Sequence, residues 1–430
     1  MNSFAKFSFL TLLGLLLSVG LFAQGTTSAR ITGQVVSKSE ALIGATVLAI
    51  HGPTGFEYGT TTNTEGLFTL NNVNVGGPYK ITVSYVGYED LIFEDIYLGL
   101  GQTETFNVEL EETAEQLEEV VITAGGLFDG NRTGAETKIS LDDINKLPTA
   151  TRNFNDYLRV SPQANVLGDG DDGVSFTGVN NRFNSIFIDG AVNNDVFGLA
   201  NSGTNGGQAG ISPISPDAIE QIQVVLAPYD VTLGGFAGGG INAITRSGTN
   251  TWTGSAYWFH RNEDLAGKTP TDNENEERTK LPDFSGNTYG MRLGGPIIKN
   301  KLFFFTNVEI QRDRTPRPLV IDQYVGDSGL EDLEAIRQRL NDVYGYDPGE
   351  YENNNETIDG EKVLLKLDWS ASAKHKLSLR HSYTKATTER HGQNSANSIV
   401  FGNTGSIFPS TTNSSALEVK SIFNSTISNN

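Results

Sequence analysis

The chain of 430 residues carries 31 basic and 51 acidic side chains, which gives a formal charge of −20. This acidity argues against nucleic acid as a partner, because phosphate groups require clustered lysine and arginine. Cysteine is absent, which excludes disulfides, thiolate metal sites and cysteine nucleophiles, and five histidines leave little for histidine-based catalysis. The 48 glycines show no collagen period and favour short strands joined by turns.

Residues 1–23 have the pattern of a secretory signal peptide. Lys6 lies in a short polar start, the apolar run Phe7–Phe22 follows, and Ala23 is a small residue at which a signal peptidase could cut. The alternative is a membrane anchor, since the run approaches spanning length. No later stretch has the roughly 20 apolar residues of a spanning helix. The exported chain would therefore cross a membrane only as a barrel.

Residues 29–110 are predicted to form a small β-sandwich, because runs rich in β-branched residues alternate with turn signals. The predicted strands are 31–36, 45–50, 67–70, 79–85 and 105–110. The lone His51, beside the Gly52-Pro53 turn, is predicted to be a surface residue.

Four motifs occur in order within this segment: Ile31-Thr-Gly-Gln-Val, Leu42-Ile-Gly-Ala-Thr-Val47, Thr64-Glu-Gly-Leu-Phe-Thr-Leu70 and Tyr85-Val-Gly-Tyr88. Together they resemble the carboxypeptidase regulatory-like domain. The resemblance implies a seven-stranded, transthyretin-like sandwich, sometimes grouped with carbohydrate-binding-like folds. It implies no peptidase site.

Residues 111–136 form an acidic linker that contains the apolar pentad Val120–Ala124. The charged run favours a solvated tether. A β-prone pentad that belongs to neither neighbouring domain has no strand of its own to pair with. It therefore suits addition to the sheet of another protein, with an ordinary edge strand as the alternative.

The sequence Glu118-Glu-Val-Val-Ile-Thr-Ala124 looks like the TonB box of TonB-dependent outer-membrane receptors. The resemblance implies a segment that is mobile in the free protein and pairs as a strand with TonB, the periplasmic energy transducer. The residues assigned to this contact are Glu119, Val120, Val121, Ile122, Thr123 and Ala124.

Residues 137–250 are similar to the plug domain of TonB-dependent receptors. The motifs that carry the similarity are Ile144–Pro148, Arg152–Leu158, Val174–Gly178, Arg182–Gly190, Ile211–Val225 and the closing motif Tyr229–Asn250. In its version here the closing motif resembles the Oar-like branch, typical of Bacteroidota and some proteobacteria.

Two local structures are predicted within this plug segment. A helix begins at Pro216, with Ile219 and Ile222 on its apolar face, and a strand follows from Val224. The Gly234–Gly240 run lacks the Lys-Ser/Thr of a phosphate loop. Its glycines are predicted to let the backbone turn tightly against a barrel wall.

From residue 251 to residue 430 the pattern predicts the first strands of a transmembrane antiparallel β-barrel. Apolar residues alternate with polar ones, as a lipid-facing, water-lined wall requires; examples are Phe304, Val308 and Ile310 against Asn307, Glu309 and Gln311. Short turns alternate with long loops, and the short turns are expected on the periplasmic side. One long loop should carry a helix, because apolar residues recur there at helical spacing: Leu330, Leu333, Ile336 and Leu340.

About six such strands cannot stand alone in a membrane, since each unpaired edge group costs several kcal/mol. Outer-membrane transporters of this type close with about 22 strands. The chain is therefore expected to be the N-terminal fragment of a longer reading frame.

No catalytic, cofactor or metal site is predicted, and the chain is not expected to be an enzyme. Asp169 and Asp171 match the first two ligands of a calcium loop, but Gly173 falls where the third belongs, so a solvated turn is favoured. The acidic loops 262–280 and 341–360 could contact a cationic ligand, although a solubilising role is favoured.

The resemblance therefore implies a mainly β protein of the cell outer membrane: a TonB-dependent receptor that moves a ligand across that membrane with energy coupled through TonB. Its expected partners are TonB, outer-membrane lipid and an extracellular ligand that the sequence does not identify; nucleic acid is not expected. One alternative is a non-transporting adhesin or surface scaffold. Another is a glycan-binding surface protein acting through the sandwich. A row of exposed aromatics would support it, but Tyr85, Tyr88 and Tyr97 are more easily interpreted as strand core or corner residues.

Overall fold

The computed structural model describes residues 26–112, 120–123, 136–149, 152–167, 173–195, 197–226, 234–268, 277–317, 324–327, 329–352, 354–392, 394–422 and 428–429. Several predicted features lie outside these ranges: the signal peptide, Glu119 and Ala124 of the TonB box, the Asp169 and Asp171 pair, and the start of the closing plug motif. The described chain is mainly β.

The N-terminal sandwich is built from eight strands of the described chain: β1 (Ala29–Ser37), β2 (Glu40–Ala41), β3 (Thr46–His51), β4 (Phe56–Thr61), β5 (Leu67–Val73), β6 (Gly76–Ser84), β7 (Leu91–Leu98) and β8 (Thr103–Glu109). One sheet has the order β2-β1-β5, with β8 parallel to β1. The other begins β4-β3-β6-β7. The sequence pattern missed β4 and β7, because a glycine interrupts the apolar pattern of the first and two acidic residues that of the second.

Alternate residues of these strands point into one core, as the two-residue period of a strand requires. The core also contains Phe303 of the barrel wall, which is fully buried, with its ring centre 5.5 Å from that of Phe56. His51 was predicted at the surface, and this is wrong. It is the last residue of β3, on the inward face, and its Nδ1 lies 2.7 Å from Thr54 Oγ1.

A ninth strand, β9 (Val120–Thr123), lies at the edge of the second sheet, which reads β4-β3-β6-β7-β9. It runs parallel to β7, with Val120 opposite Leu91 and Thr123 opposite Glu94. The expectation that this segment lacks a pairing partner is therefore wrong for its four central residues. The acidic linker is long enough to let the β-prone segment fold back onto an open strand of the sandwich.

The plug contains a five-stranded sheet, a two-stranded sheet and two short helices. Its elements are β10 (Glu136–Ile139), α1 (Leu141–Lys146), α2 (Phe154–Tyr157), β11 (Ala164–Val166), β12 (Val174–Phe176), β13 (Ser185–Ile188), β14 (Ala191–Val192), β15 (Ile219–Val225) and β16 (Gly240–Thr245). The larger sheet has the order β10-β15-β16-β13-β14, and β11 pairs with β12. Ser140 caps α1 by accepting from the backbone N–H of Asp143.

Two predictions about the plug need correction. The helix at Pro216 is only a single 3₁₀ turn, Pro216–Ala218, and the apolar residues assigned to its face, Ile219 and Ile222, lie on β15 instead. Pairing with β16 on one side and β10 on the other buries these β-branched residues, which a strand accommodates well.

The glycine run of the closing motif packs inside the plug rather than against the wall. A Cβ at Gly239 would lie 2.4 Å from the Phe176 ring of the plug. The close approach to the barrel occurs later, where a Cβ at Gly248 would lie 2.3 Å from the carbonyl oxygen of Phe304. The predicted role of glycine is therefore found at a different position of the same motif.

The barrel wall is one antiparallel sheet in sequence order: β17 (Thr253–Asn262), β18 (Ser285–Ile298), β19 (Leu302–Arg317), β20 (Asn354–Ser372), β21 (His375–Arg390), β22 (Ser406–Ile422) and the two-residue β23 (Ser428–Asn429). Within the described residues this sheet does not close on itself. The long strands extend past the predicted ranges because their ends are polar and lack the apolar alternation.

The predicted alternation of the wall is confirmed. Met291, Val308 and Val363 lie opposite one another on neighbouring strands and face outward with part of their surface exposed. The intervening Asn307 and Glu309 are buried against the plug. The sheet therefore has an apolar outer face and an inner face on which buried polar residues meet the plug.

The connections also follow the predicted arrangement. Three-residue or shorter turns join β18 to β19 and β20 to β21, whereas the other long strands are joined by long loops, one of which contains the predicted helix, α3 (Leu330–Tyr344). None of the helices in the described ranges has the length and apolar character needed to cross a membrane.

Candidate functional site

The plug is attached to the inner face of the wall by buried charged groups, and Asp189 is the centre of the first of these. Arg380 Nε lies 3.2 Å from Asp189 Oδ2, and Lys366 Nζ lies 3.7 Å from Oδ1. Thr245 of the plug donates to the same carboxylate from its backbone N–H at 2.8 Å and from its hydroxyl at 2.6 Å. One plug carboxylate therefore holds two wall cations.

The environment of Asp189 keeps it ionised. Burial acts to raise the pKa of this carboxyl, but Lys366 and Arg380, together with the hydrogen bonds from Thr245, lower its pKa below the ordinary value. Asp189 has a backbone φ of 46°, in the left-handed region, at the end of β13. Such a conformation is uncommon outside glycine, asparagine and aspartate, and it directs the chain into the turn before β14.

A second charged centre surrounds Glu309 of β19. Lys362 Nζ donates to Glu309 Oε1 at 2.9 Å, and the hydroxyls of Ser215 and Tyr257 each donate to Oε2 at 2.7 Å. Ser215 belongs to the plug and the other residues to the wall. Both oxygens of this buried carboxylate accept hydrogen bonds, two donated from the wall and one from the plug, so the charge is compensated where the plug meets the wall.

Arg152 joins the same region from the plug side. It forms an ion pair with Asp217 of the plug, and its guanidinium carbon lies 4.7 Å from the ring centre of Tyr257 and 4.2 Å from that of Phe259. Both rings belong to β17. A cation stacked on two aromatic rings adds a favourable contact that does not need a second charge.

Towards the long-loop end, the wall binds plug backbone instead of plug side chains. The Thr384 hydroxyl donates to Pro213 O at 3.3 Å, the Thr388 hydroxyl donates to Ala209 O, and Arg390 Nη2 donates to Gln208 O at 3.2 Å. The plug is thus held along the length of β21.

At the short-turn end the sandwich contacts the wall. Asn250 donates from its backbone to Pro53 O at 2.8 Å and from its side chain to Asn300 Oδ1 at 2.7 Å. Lys376 Nζ donates to Glu57 O at 2.9 Å and lies 3.5 Å from the ring centre of Tyr58. The sandwich therefore lies on the side of the wall that has the short turns.

Sandwich, plug and wall meet around a cavity of about 170 Å³. Its lining includes Thr54 of the sandwich, Asp189 and Glu220 of the plug, and Lys366 and Glu418 of the wall. The charges of both signs in this lining make it a polar space directly beside the Asp189 centre. In the part of the chain that the structure describes, no group of three or more His, Cys, Asp or Glu residues is arranged to hold a metal ion.

The predicted TonB-box residues lie apart from these charged centres. Val120, Val121, Ile122 and Thr123 form β9 on the sandwich, upstream of the first plug strand, β10. Asp189, Lys366 and Arg380 were not among the site residues predicted from the sequence. The sequence did contain a signal for such a centre. Lys366 and Arg380 occupy inward positions of predicted barrel strands, and a charge buried there needs an acidic partner.

The three tyrosines weighed against the glycan-binding alternative do not form one exposed row. Tyr85 and Tyr88 pack on the sandwich core with ring centres 5.5 Å apart, whereas Tyr97 is exposed on β7. The first two rings are therefore used for packing.

Comparison with known families identifies three domains in this order. Residues 30–111 match the carboxypeptidase regulatory-like domain, residues 131–241 the TonB-dependent receptor plug domain, and residues 244–323 an outer membrane beta barrel domain.

Two curated relatives are similar over longer stretches. The chain is 26% identical to the TonB-dependent transporter Oar of Myxococcus xanthus over 413 residues, covering 89% of this chain and 36% of that protein. It is 27% identical to the probable TonB-dependent siderophore receptor PirA of Acinetobacter baumannii over 209 residues, covering 45% of this chain and 25% of that protein. The chain thus spans well under half the length of either relative.

Solved structures that resemble the chain include the outer membrane transporter YddB from Escherichia coli, with a TM-score of 0.47, 16% identity, and coverage of 67% of this chain and 37% of that one. The siderophore receptor PirA from Acinetobacter baumannii gives a TM-score of 0.43 at 19% identity, covering the same shares. The chain therefore carries, in this order, a carboxypeptidase regulatory-like domain, a TonB-dependent receptor plug domain and part of an outer membrane beta barrel domain.

Proposed function

We propose that the protein is an outer-membrane transporter that moves a ligand across the membrane when TonB pulls on residues 119–124. The observation that carries this proposal is the position of β9: it pairs with the sandwich, which contacts the wall at its short-turn end, and it comes before the plug strands in the chain. Short turns of outer-membrane barrels face the periplasm, which is where TonB would meet the segment.

The plug sheet offers a route for the pull. β10 is the first described plug strand after the box and lies at the edge of its sheet, paired with β15 alone. β15 in turn pairs with β16, which ends at Thr245, the hydrogen-bond donor to Asp189. Tension on the box would reach β10 first and then the strands that hold the Asp189 centre, so that the plug loosens from the wall.

A substitution at Val121 tests the contact with TonB. Val121→Pro removes a backbone donor and should lower binding of the TonB periplasmic domain at least tenfold, since strand addition depends on main-chain hydrogen bonds. Val121→Ala shortens the same side chain but keeps the N–H, so its affinity should stay within a fewfold of the parent. Affinity is measured by calorimetry on receptor purified from outer membranes.

The matched pair of variants separates two outcomes. A loss in the proline variant alone supports strand addition at the box. Equal TonB binding by the parent and both variants would contradict the proposed contact and favour a surface scaffold, which needs no energy coupling.

A further inference from the structure

The connection between β7 and β8 contains a turn, residues 99–101, that the plug covers. Turn residues normally lie at the protein surface, but Leu100 at the centre of this turn is fully buried. Its backbone N–H donates to Gln221 Oε1 at 2.7 Å, and its carbonyl oxygen accepts from Gln223 Nε2 at 3.2 Å. Both glutamines belong to β15. The plug therefore binds both backbone polar groups of a sandwich turn residue.

Glycines on either side of Leu100 let turn 99–101 approach the plug closely. A Cβ at Gly99 would lie 3.0 Å from Lys138 Cδ, and a Cβ at Gly101 would lie 2.9 Å from Gln223 Nε2. Lys138 of β10 and Gln223 of β15 are directly paired in the plug sheet. The turn thus lies across two neighbouring plug strands.

A second sandwich contact reaches the next plug strand. The buried side chain of Asn242, on β16, donates from Nδ2 to the carbonyl oxygen of Thr26, which lies just before β1. Asn242 is the register partner of Gln223 on the side away from Lys138. The sandwich therefore contacts one continuous row of paired residues across three strands of the plug sheet: Lys138, Gln223 and Asn242.

The same sandwich is also fixed to the wall. Phe303 of β19 is buried in the sandwich core, and Lys420 Nζ of β22 donates to Thr27 O at 3.4 Å. Thr27 directly follows Thr26, so two consecutive residues bind the wall and the plug. A domain that is bound to both partners opposes their relative movement until one set of its contacts breaks.

We propose that the sandwich restrains the plug: turn 99–101 and Thr26 hold the row Lys138, Gln223 and Asn242 against the wall-bound sandwich, and the plug moves only after these contacts break. This inference goes beyond the proposed function, because it concerns retention of the plug when TonB is absent. The restraint acts in parallel with the Asp189 centre, since β16 carries both Asn242 and Thr245, the donor to Asp189.

Leu100→Ala tests the restraint while the plug sequence stays native, so that any change in the plug must pass through the interface. The measurement is hydrogen exchange of β15 and β16 in receptor purified from outer membranes, without TonB. Loss of the buried side chain should accelerate this exchange about fivefold or more, because the plug then opens more often. The control is Val86→Ala, in the connection between β6 and β7, where the side chain is 94% exposed; its exchange should match the parent. Equal exchange in the parent and Leu100→Ala would overturn the inference.

A double-variant cycle shows whether Leu100 acts through β15 or through the stability of the sandwich itself. Gln223→Ala removes the donor to Leu100 O from the plug side. If the two residues act through one contact, Leu100→Ala should accelerate exchange less in the Gln223→Ala background than in the parent. An equal effect in both backgrounds would place the action of Leu100 outside this contact and would overturn the inference.

Ion conductance gives a functional measure of the same restraint. The purified receptor is placed in a planar lipid bilayer with KCl on both sides, and urea is raised until a current appears. Urea weakens the contacts that hold the plug, so Leu100→Ala should conduct at a lower urea concentration than the parent and Val86→Ala. A common onset for all three proteins would contradict the restraint. Since TonB is absent here, failure of the Val121 test would affect the proposed function and leave this inference standing.

Discussion

Asp189 joins plug and wall through a single carboxylate, and its surroundings explain why aspartate occupies that position. The side chain must reach Lys366 and Arg380 while the backbone takes a left-handed turn. Aspartate and asparagine tolerate that backbone conformation better than most residues, but aspartate also supplies the charge. Without it, two cations would face each other in a buried space.

We therefore predict that Asp189→Asn weakens attachment of the plug. The amide fits the left-handed backbone but removes the carboxylate that pairs with Lys366 and Arg380, and breaking a buried ion pair from one side costs about 3–5 kcal/mol. Hydrogen exchange of β13 in the purified receptor should accelerate accordingly. Asp142→Asn is the control, because the Asp142–Lys146 pair is exposed and screened by solvent, so its loss should change stability little. Unchanged exchange in the Asp189 variant would show that the charge pair does not hold the plug.

His51 gives the sandwich a pH-dependent stability. Burial lowers the pKa of His51 to about 4 from its ordinary 6.5, so the unfolded chain binds a proton that the folded chain does not bind between these pH values. Stability is therefore full above pH 6.5 and falls as the pH drops to 4, by about 3 kcal/mol. Urea unfolding of the sandwich at several pH values should show this loss in the parent.

His51→Gln provides the comparison for that measurement. The variant cannot gain the imidazole proton, so its stability should lack the decrease between pH 6.5 and 4 that is specific to the parent. Titrating carboxylates affect both proteins alike. Parallel curves for the two proteins would contradict the assigned role of His51.

At the scale of elements, the sequence predicted strands best where one face is apolar. The wall strands follow the two-residue period, and the surface helix α3 follows the helical period, so both were located. The helix proposed at Pro216 was not, because the spacing of Ile219 and Ile222 fits a helix as well as a bulged strand. Pairing with β10 and β16 is what makes this segment a strand. The local spacing of apolar residues does not show which strands will pair with it.

The same reason explains the correction at β9. The segment has strand propensity, which the sequence showed, but its pairing with β7 depends on the open edge of a strand that the sequence pattern missed. The charged centres were unpredictable for a similar reason. Asp189 and Arg380 are 191 positions apart in the chain, and no spacing rule relates them.

The sandwich should be an independently folding element. Residues 29–110 carry almost all of the core, and expressed alone they should unfold in one cooperative transition. Phe106→Ala, in the middle of that core, should cost about 3–5 kcal/mol in the isolated domain. Phe56→Ala should cost less, because the isolated domain lacks Phe303 and leaves Phe56 partly uncovered. Circular dichroism and urea unfolding measure all three proteins, and a disordered product would show that the domain needs the wall.

At the scale of the whole molecule, the order of the three domains fits the proposed transmission of a pull from the box to the plug. The sandwich and β9 lie at the short-turn end, the plug sheet begins with an edge strand, and the charged centres fasten that sheet to the wall. The domain order was recognisable from the sequence motifs. The attachment of the sandwich to the wall through Asn250, Asn300 and Lys376 was not, because polar turn residues carry no pattern that identifies their partners.

Contact between the box and TonB in living cells tests the central claim most directly. Since the chain has no cysteine, a receptor with Val121→Cys can be paired with a TonB variant that has one cysteine in its periplasmic domain. The account predicts a disulfide-linked receptor–TonB product for this position and little or none for Glu112→Cys, an exposed site outside the box. A receptor that reaches the outer membrane but yields no TonB product at position 121, or an equal yield at both positions, would contradict the account.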